Sequence, residues 1–511
     1  MPDSIKDSAV IDHRQPQRAA EAWRHFADTP LDRLLAPAEA GGDGGTHAIA
    51  LYHDMLAHVP AYRAFLAERG IDPETIRVAG DLQRIPLMTK ANYVQRYPLA
   101  ELVRGGKLTG CDMMAVSSGS TGKPTFWPRF ASDELASAQR FEQAFQDSFH
   151  ADQRRTLAVI CFALGSWVGG LYTLACCRHL AAKGYPILAI APGMNKPEIY
   201  RILAELSPGF DQTVLLGYPP YLKDVIDGGT AAGIDWPELN IRLVMAGEVF
   251  SEEWRGMLAR RLASDPCYDF VSLYGTADAG VLANETPLSI AIRRFLSGKP
   301  EVARELFGDS RLPTLAQYDP NSRLFEAADG TLLFSGDNGV PLLRYHIADN
   351  GGVIAYDGMM RFLAKHGFDP LPGLAAHNWR GVRHLPFVYV FGRANFAVSY
   401  FGANVYPENI AVGLEQPDVA PWTSGKFVVI AREGLDQAPQ LYVAVECAPG
   451  IAADAEKEAA MAESILAQLL RLNTEFANYT PAEFRRPQVE MKPAGDPDWF
   501  PVGVKHRYSR R

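Results

Sequence analysis

A chain of 511 residues exceeds what one hydrophobic core usually supports, so two or more domains are expected. Its 59 acidic against 50 basic side chains leave a net charge of -9, which argues against a general nucleic-acid binder. Residues 2–20 are polar with no apolar leader, the near-apolar run 161–177 is too short and too interrupted for a membrane span, and six cysteines form no C-x-x-C pair, so a reduced, cytoplasmic protein is expected.

In chain order, Met113–Val116 reads as a strand end, followed by Ser117-Ser118-Gly119-Ser120-Thr121-Gly122-Lys123-Pro124-Thr125. Five hydroxyls and two glycines around one lysine suit a loop whose backbone N–H groups turn inward on an anion such as a polyphosphate. It is not a Walker loop, because only two residues separate the glycines and Pro124, not a hydroxyl, follows Lys123. Taken alone, the nine residues would also suit an ordinary polar loop.

From about 156 to 275 the pattern alternates. Strands are predicted at 156–163, 185–191, 213–217, 241–246 and 268–273, with helices at 170–183, 196–206, 220–227 and 252–263. Cys176 and Cys177 fall inside the first of these helices and read as packing residues. The last helix is well signed: Ser251 can cap it, Glu252 and Glu253 suit its first turn, and Arg260 and Arg261 its last. Such alternation implies a parallel sheet covered by helices, with ligands outside the carboxyl ends of the strands. That rule nominates the loops 165–170, 192–195, 218–221, 247–250 and 274–278. The segments 285–324 and 357–386, rich in Arg, Pro and His, read as insertions. Beyond a boundary near 391–395 the texture changes to strands at 426–431 and 441–447, a helix over 456–476 and a strand at 488–491, a small α+β unit.

Four further stations look like parts of one nucleotide site. They are Tyr274-Gly275-Thr276-Ala277-Asp278; Arg344-Tyr345-His346-Ile347-Ala348-Asp349; Gly392-Arg393-Ala394-Asn395 with Gly402-Ala403-Asn404-Val405-Tyr406-Pro407-Glu408; and Gly503-Val504-Lys505-His506-Arg507. In that order, together with the hydroxyl-rich loop, they resemble the adenylate-forming (acyl-CoA synthetase-like) superfamily. The nearest look within it is to the phenylacetate–coenzyme A ligase branch, over about residues 50 to 511. The resemblance implies an α/β fold with a large N-terminal domain (1–391) of parallel and mixed sheets covered by helices, and a small mobile α+β C-terminal domain (392–511). It further implies ATP-dependent activation of a carboxylic acid as acyl-AMP with release of pyrophosphate, then transfer to coenzyme A, with Mg²⁺ as cofactor.

Under this resemblance Ser117, Ser118, Gly119, Ser120, Thr121, Gly122 and Lys123 hold the β- and γ-phosphates, and Gly247 and Glu248 match the adenine-side turn. Tyr274 and Gly275 lie by the adenine, Thr276 and Asp278 face the α-phosphate, and Asp278 takes the metal. Asp349 accepts the ribose hydroxyls, while Arg393 and Asn395 sit at the hinge. Lys505, in a tail whose last seven residues hold four Lys or Arg, takes the place of the adenylation lysine. Trp167, Tyr218 and Phe250, with Ser166 and Tyr221, are candidates to wall an acyl pocket for an aromatic or otherwise hydrophobic acid.

Several positions depart from the branch pattern. Asp278 replaces its glutamate, Ala277 the preceding Ser/Thr, Asn395 the hinge aspartate and His346 the arginine of R-Y-R-T. These departures keep two other readings open: transfer of the acyl group to an amine or a carrier-protein thiol, and a catalytically weak nucleotide-binding scaffold. Nucleic-acid and membrane partners are not expected, and a homodimer is left open. No G-x-S-x-G or H-E-x-x-H motif supports a serine hydrolase or a zincin.

Overall fold

The computed structural model describes residues 14–116, 125–165, 168–309, 311–376, 382–393, 398–401, 403–433, 439–501, 506 and 508. Its strands are β1 (Met113–Val116), β2 (Phe126–Arg129), β3 (Thr156–Ile160), β4 (Ile187–Ile190), β5 (Gln212–Gly217), β6 (Ile241–Ala246), β7 (Phe270–Thr276), β8 (Gly280–Asn284), β9 (Thr314–Gln317), β10 (Arg323–Ala328), β11 (Thr331–Gly336), β12 (Leu342–Ile354), β13 (Phe387–Arg393), β14 (Val398–Tyr400), β15 (Ala403–Val405), β16 (Thr423–Glu433), β17 (Pro439–Cys447) and β18 (Gln488–Lys492).

One sheet runs through the large domain in the order β10-β11-β12-β13-β9-β8-β7-β6-β5-β3-β4. The pairs from β4 to β7 are parallel, as the alternating pattern predicts; every pair from β7 onward is antiparallel. The parallel strands are apolar on both faces because helices cover both. On one face Leu157, Val159, Leu215 and Leu243 pack against Ile199, Leu203, Val225 and Leu258. On the other, Ala158, Ile160, Val214 and Val244 meet Phe141, Phe145, Cys176 and Leu180. Cys176 and Cys177 are thus packing residues, and burial pushes the Cys177 thiol up to about 12.

The antiparallel half curls. β10 and β7 are six positions apart in the sheet, ~29 Å if it lay flat at ~4.8 Å per strand. Yet Phe325 on β10 stacks on Tyr274 of β7 at 6.2 Å, and both belong to one core with Phe334, Leu342 and Tyr345. The segment 285–324 is no appendage to this sheet. β9 lies inside it between β13 and β8, and Glu285 is buried against Arg255 Nη2 at 2.7 Å. In the segment 357–386, His384 stacks on Tyr356 at 4.5 Å, a packing role.

The small domain is the three-stranded sheet β16-β17-β18, antiparallel then parallel, under helices Pro407–Leu414 and Ala455–Leu472. Met461, Ile465 and Leu469 bury against Val429, Val443 and Val445. Gly413 lets the two helices touch: a Cβ there would stand 2.6 Å from Ile465 Cα. The single helix predicted over 456–476 breaks at Asn473, which leaves helical geometry (φ -116°, ψ 94°) and caps a second helix, Thr474–Tyr479, by accepting from Phe476 N at 2.9 Å. Among the described residues no helix is long and apolar enough to cross a membrane.

Candidate functional site

Of the predicted stations, 274–278 and 344–349 meet beside the nominated loop 247–250, where β6 and β7 end. Gly247 follows β6 with φ +86°, a left-handed turn that glycine adopts without strain. Glu248 comes next, half-buried, and four residues on from Gly247 Ser251 accepts from Trp254 N at 3.0 Å to start the helix Glu252–Leu262. β7 hands over to β8 through a tight turn in which Ala279 N donates to Thr276 Oγ1 at 3.2 Å. A Cβ on Gly275 would come within 2.8 Å of Gly280 O, so this position takes glycine for space.

Two tyrosine–aspartate motifs brace each other across the site. Tyr274 OH donates to Asp349 Oδ2 at 2.7 Å, and Tyr345 OH donates to Asp278 Oδ2 at 2.6 Å. Each motif reads Tyr-x-x-x-Asp, and each tyrosine holds the other's carboxylate. The curl of the sheet makes this possible by bringing β12 back over the end of β7. Asp349 is buried, while Asp278, Thr276 and Tyr274 are half-buried and border the loop ends. β12 is kinked on either side of its tyrosine: Arg344 (φ 49°) and Ala348 (φ 67°) both adopt left-handed backbone, which costs a non-glycine residue about 1 kcal/mol or more. Arg344 is held there by Glu326 and by the carbonyls of Gln83 and Ile85 at 2.9 and 3.0 Å. His346 takes a different partner, Thr331 Oγ1, at 2.9 Å.

Sequence reasoning missed Arg129 altogether. It ends β2, the strand after the hydroxyl-rich loop, and is buried. Its Nη2 donates to Ala277 O and its Nη1 lies 3.5 Å from Asp278 O. A fixed cation thus supports the backbone under Asp278. Nothing in the local pattern singles it out, because its partners lie 148 and 149 residues away. Sequence reasoning gives Tyr345 no role, although the repeated Tyr-x-x-x-Asp spacing is a usable signal.

The other stations divide. Asp349 pairs with Arg393 in the β12–β13 register, so the residues predicted for the ribose and for the hinge are neighbours in the sheet. Tyr218 packs edge-on against Phe162 at 4.9 Å; burial first, then the Glu248 carboxylate, pushes its phenol up. Phe250 has other surroundings. It packs on Trp254 at 4.9 Å under the Arg255 guanidinium at 4.9 Å, and it lines a cavity shared with Glu408, Ala411 and Leu472 of the small domain. The loop 117–124, Ser166, Trp167, Asn395 and Lys505 lie outside the described residues. Two residues beyond it are described: His506 Nε2 lies 2.7 Å from Phe427 O, Val429 N donates to Tyr508 O at 2.8 Å, and burial first, then the Glu248 carboxylate, pushes the Tyr508 phenol up.

The two domains meet along the same side. Lys223 Nζ donates to Thr423 O at 2.6 Å and Asp227 Oδ2 at 2.7 Å, and burial, reinforced by Arg261, lowers its ammonium to about 7. Ser251 Oγ donates to Glu415 Oε2; burial raises that carboxyl to about 7 against the lowering effect of the serine, with Glu253 adding to the rise.

No protein-family model matches the chain. It is 25% identical over 393 residues to a phenylacetate–coenzyme A ligase of Thermus thermophilus, covering 75% of this chain and 77% of that one. A phenylacetate–coenzyme A ligase of Aromatoleum evansii is 22% identical over 334 residues, 63% of this chain and 69% of that one. Among solved structures, a 2-hydroxyisobutyryl-CoA ligase in its postadenylation state superposes with a TM-score of 0.65 at 15% identity over 92% of this chain and 90% of that one. The same enzyme in its thioesterification state gives 0.52 at 15% identity over 97% and 91%. The chain therefore has the fold of the adenylate-forming CoA ligases, and in sequence it is similar to the phenylacetate–coenzyme A ligase branch of that superfamily.

Proposed function

We propose that the protein is an AMP-forming acid–thiol ligase that activates an aromatic or otherwise hydrophobic carboxylic acid with ATP and passes the acyl group to coenzyme A. The observation that carries this reading is the reciprocal brace of Tyr274 with Asp349 and of Tyr345 with Asp278 at the carboxyl ends of the parallel strands. It holds two carboxylates at fixed positions where open α/β sheets bind ligands. The relatives named phenylacetate–coenzyme A ligase support the choice of acid class and acceptor.

A carboxylate is a poor electrophile because its charge spreads over both oxygens. In the first half-reaction one of those oxygens attacks the α-phosphorus. The bond from that phosphorus to the oxygen bridging the β-phosphate breaks, and pyrophosphate leaves with the electron pair. In the second, a thiol loses its proton, its sulfur bonds to the acyl carbon, and AMP leaves as the carbon–oxygen bond breaks. Positioning and charge neutralisation carry most of such catalysis. In this reading Asp349 takes the ribose hydroxyls, and Tyr274 both braces it and offers a ring beside the adenine. Thr276 borders the α-phosphate, Lys123 and the loop 117–122 hold the outer phosphates, and Lys505 bridges the acid and the α-phosphate. Asn395 and Arg393 flank the hinge on which the small domain turns between half-reactions.

Mg²⁺ brought in on substrate phosphates asks for one or two protein carboxylates. Asp278 supplies one, oriented by Tyr345 and underpinned by Arg129. When bound, the ion supplies neutralisation of phosphate charge.

Acid-dependent exchange of labelled pyrophosphate into ATP tests the first step, with a panel headed by phenylacetate-like acids. No exchange with any acid would instead fit the scaffold reading. Hydroxamate trapping without coenzyme A, compared with AMP release in its presence, separates a coenzyme A acceptor from an amine or a carrier-protein thiol.

A further inference from the structure

Strand β12 falls out of step with β11 twice. Between the register pairs Gly336–Leu342 and Phe334–Tyr345, Leu343 and Arg344 together oppose Ser335. Between Leu333–His346 and Thr331–Asn350, three residues, Ile347, Ala348 and Asp349, oppose Leu332. Such bulges bend a strand and re-aim its side chains. Here they flank Tyr345 and His346, and each holds one of the two left-handed residues, Arg344 and Ala348.

The first bulge is held by the segment 82–88. The Arg344 side chain, only 12% exposed, closes over the end of the short helical turn Ala79–Arg84. Its Nη1 lies 3.3, 2.9 and 3.0 Å from the carbonyl oxygens of Leu82, Gln83 and Ile85, and its Nε reaches both Glu326 carboxylate oxygens at 3.2 Å. Carbonyls at a helical end lack donors within the helix, and a planar guanidinium serves several acceptors at once. Arg344 N donates to Ser335 Oγ at 2.9 Å. Met88 runs parallel alongside: its N donates to Arg344 O at 3.3 Å, and its O accepts from His346 N at 2.8 Å. Both chain neighbours of Tyr345 are thus gripped by one stretch of backbone, while its own hydroxyl goes to Asp278.

We propose that Arg344 is a positioning residue for the adenylation half-reaction: by capping the carbonyls of Leu82, Gln83 and Ile85 it holds the bulge from which Tyr345 aims Asp278. This role rests on the ligase reading above. It gives the segment 82–88, which contains none of the nucleotide-site motifs, a part in the site. Without the guanidinium, the left-handed backbone at Arg344 loses its restraint and relaxes toward extended geometry. The Tyr345 hydroxyl is then no longer fixed on the Asp278 carboxylate. A lysine replaces the fork with a single nitrogen and restores only part of the grip.

The test is a double-substitution cycle in the full-length chain: Arg344→Met, Tyr345→Phe and both together, read by acid-dependent pyrophosphate–ATP exchange. Arg344→Met is expected to lower kcat at least about tenfold, with KM for the acid within about twofold. On the Tyr345→Phe background the same change is expected to cost less than about threefold, because the bond through which Arg344 acts is already gone. Arg344→Lys is expected to lose less than Arg344→Met, and it carries the same cycle if the methionine variant does not fold. Amide hydrogen exchange, which needs no turnover, is expected to speed up several-fold in peptides covering 82–88 and 343–347 and to stay unchanged in the helix Ala455–Leu472. With exchange of pyrophosphate present in the unaltered chain, equal losses on both backgrounds, or an unchanged kcat in Arg344→Met, would overturn the proposal. If the unaltered chain exchanges no pyrophosphate with any acid, the ligase reading fails and the positioning role with it, while faster amide exchange in Arg344→Met still shows the clamp.

Discussion

Tyr345 spends its hydroxyl on a carboxylate 67 residues away, and that single bond sets how Asp278 faces the site. Hydrogen bonds to charged groups contribute about 1.5–3 kcal/mol. Tyr345→Phe is therefore expected to lower kcat of pyrophosphate–ATP exchange about 10- to 100-fold while the protein stays folded, because the ring keeps its edge contact with Phe334 at 5.6 Å. Circular dichroism alongside the exchange assay checks both halves. Asp349→Ala removes the proposed ribose acceptor and also the partner of Tyr274. It is expected to weaken ATP binding at least tenfold by calorimetry, with a smaller effect on the affinity for the acid; an unchanged nucleotide affinity would contradict the ribose role.

At the level of elements, the parallel strands were legible because each is a short apolar run between amphipathic helices. The strand predicted at 241–246 coincides with β6 and the helix at 196–206 with Lys196–Leu206. What escaped was set by distant partners or by one polar residue. β9 is four residues long and earns its place in the sheet only through β13 and β8, which no local window contains. The predicted helix over 456–476 kept its apolar period across a break, since Phe476 buries as fully as Met461. Asn473 decides the break, because its side chain accepts from Phe476 N at 2.9 Å and donates to Asn409 Oδ1 at 3.0 Å. Asn473→Ala is expected to cost about 1–2 kcal/mol in urea unfolding of the small domain.

Glu415 offers a second check at this scale. Its carboxyl, raised from 4.5 to about 7 by burial, holds its proton in the folded chain to a higher pH than in the unfolded one. The resulting penalty is nearly absent at acid pH, grows as pH rises past 4.5, and is complete above about 7. Glu415→Gln keeps an acceptor for Ser251 and carries no charge. It is expected to raise the thermal midpoint at pH 8, by the equivalent of about 1–3 kcal/mol, and to give a clearly smaller gain at pH 5. Equal gains at the two pH values would show that titration is not the cause.

For the whole molecule, the two half-reactions are expected to separate along the domain boundary. Lys505→Ala is expected to abolish adenylation and leave thioester formation from supplied acyl-AMP largely intact, measured as exchange against AMP release. Loss of both with folding preserved would refute the assigned role. The motifs that meet beside the end of β7 could be read from the chain because each is contiguous. The partners of the domain boundary could not, since Lys223 meets Thr423 across 200 residues and Ser251 meets Glu415 across 164.

The last register pair of the main sheet before the chain crosses into the small domain is Asp349 with Arg393. Under the proposed roles, the ribose seat and the pivot of the C-terminal half share this one rung. A filled seat would then stiffen the pivot and an empty one slacken it, so that nucleotide occupancy and the freedom to turn would be two readings of one joint.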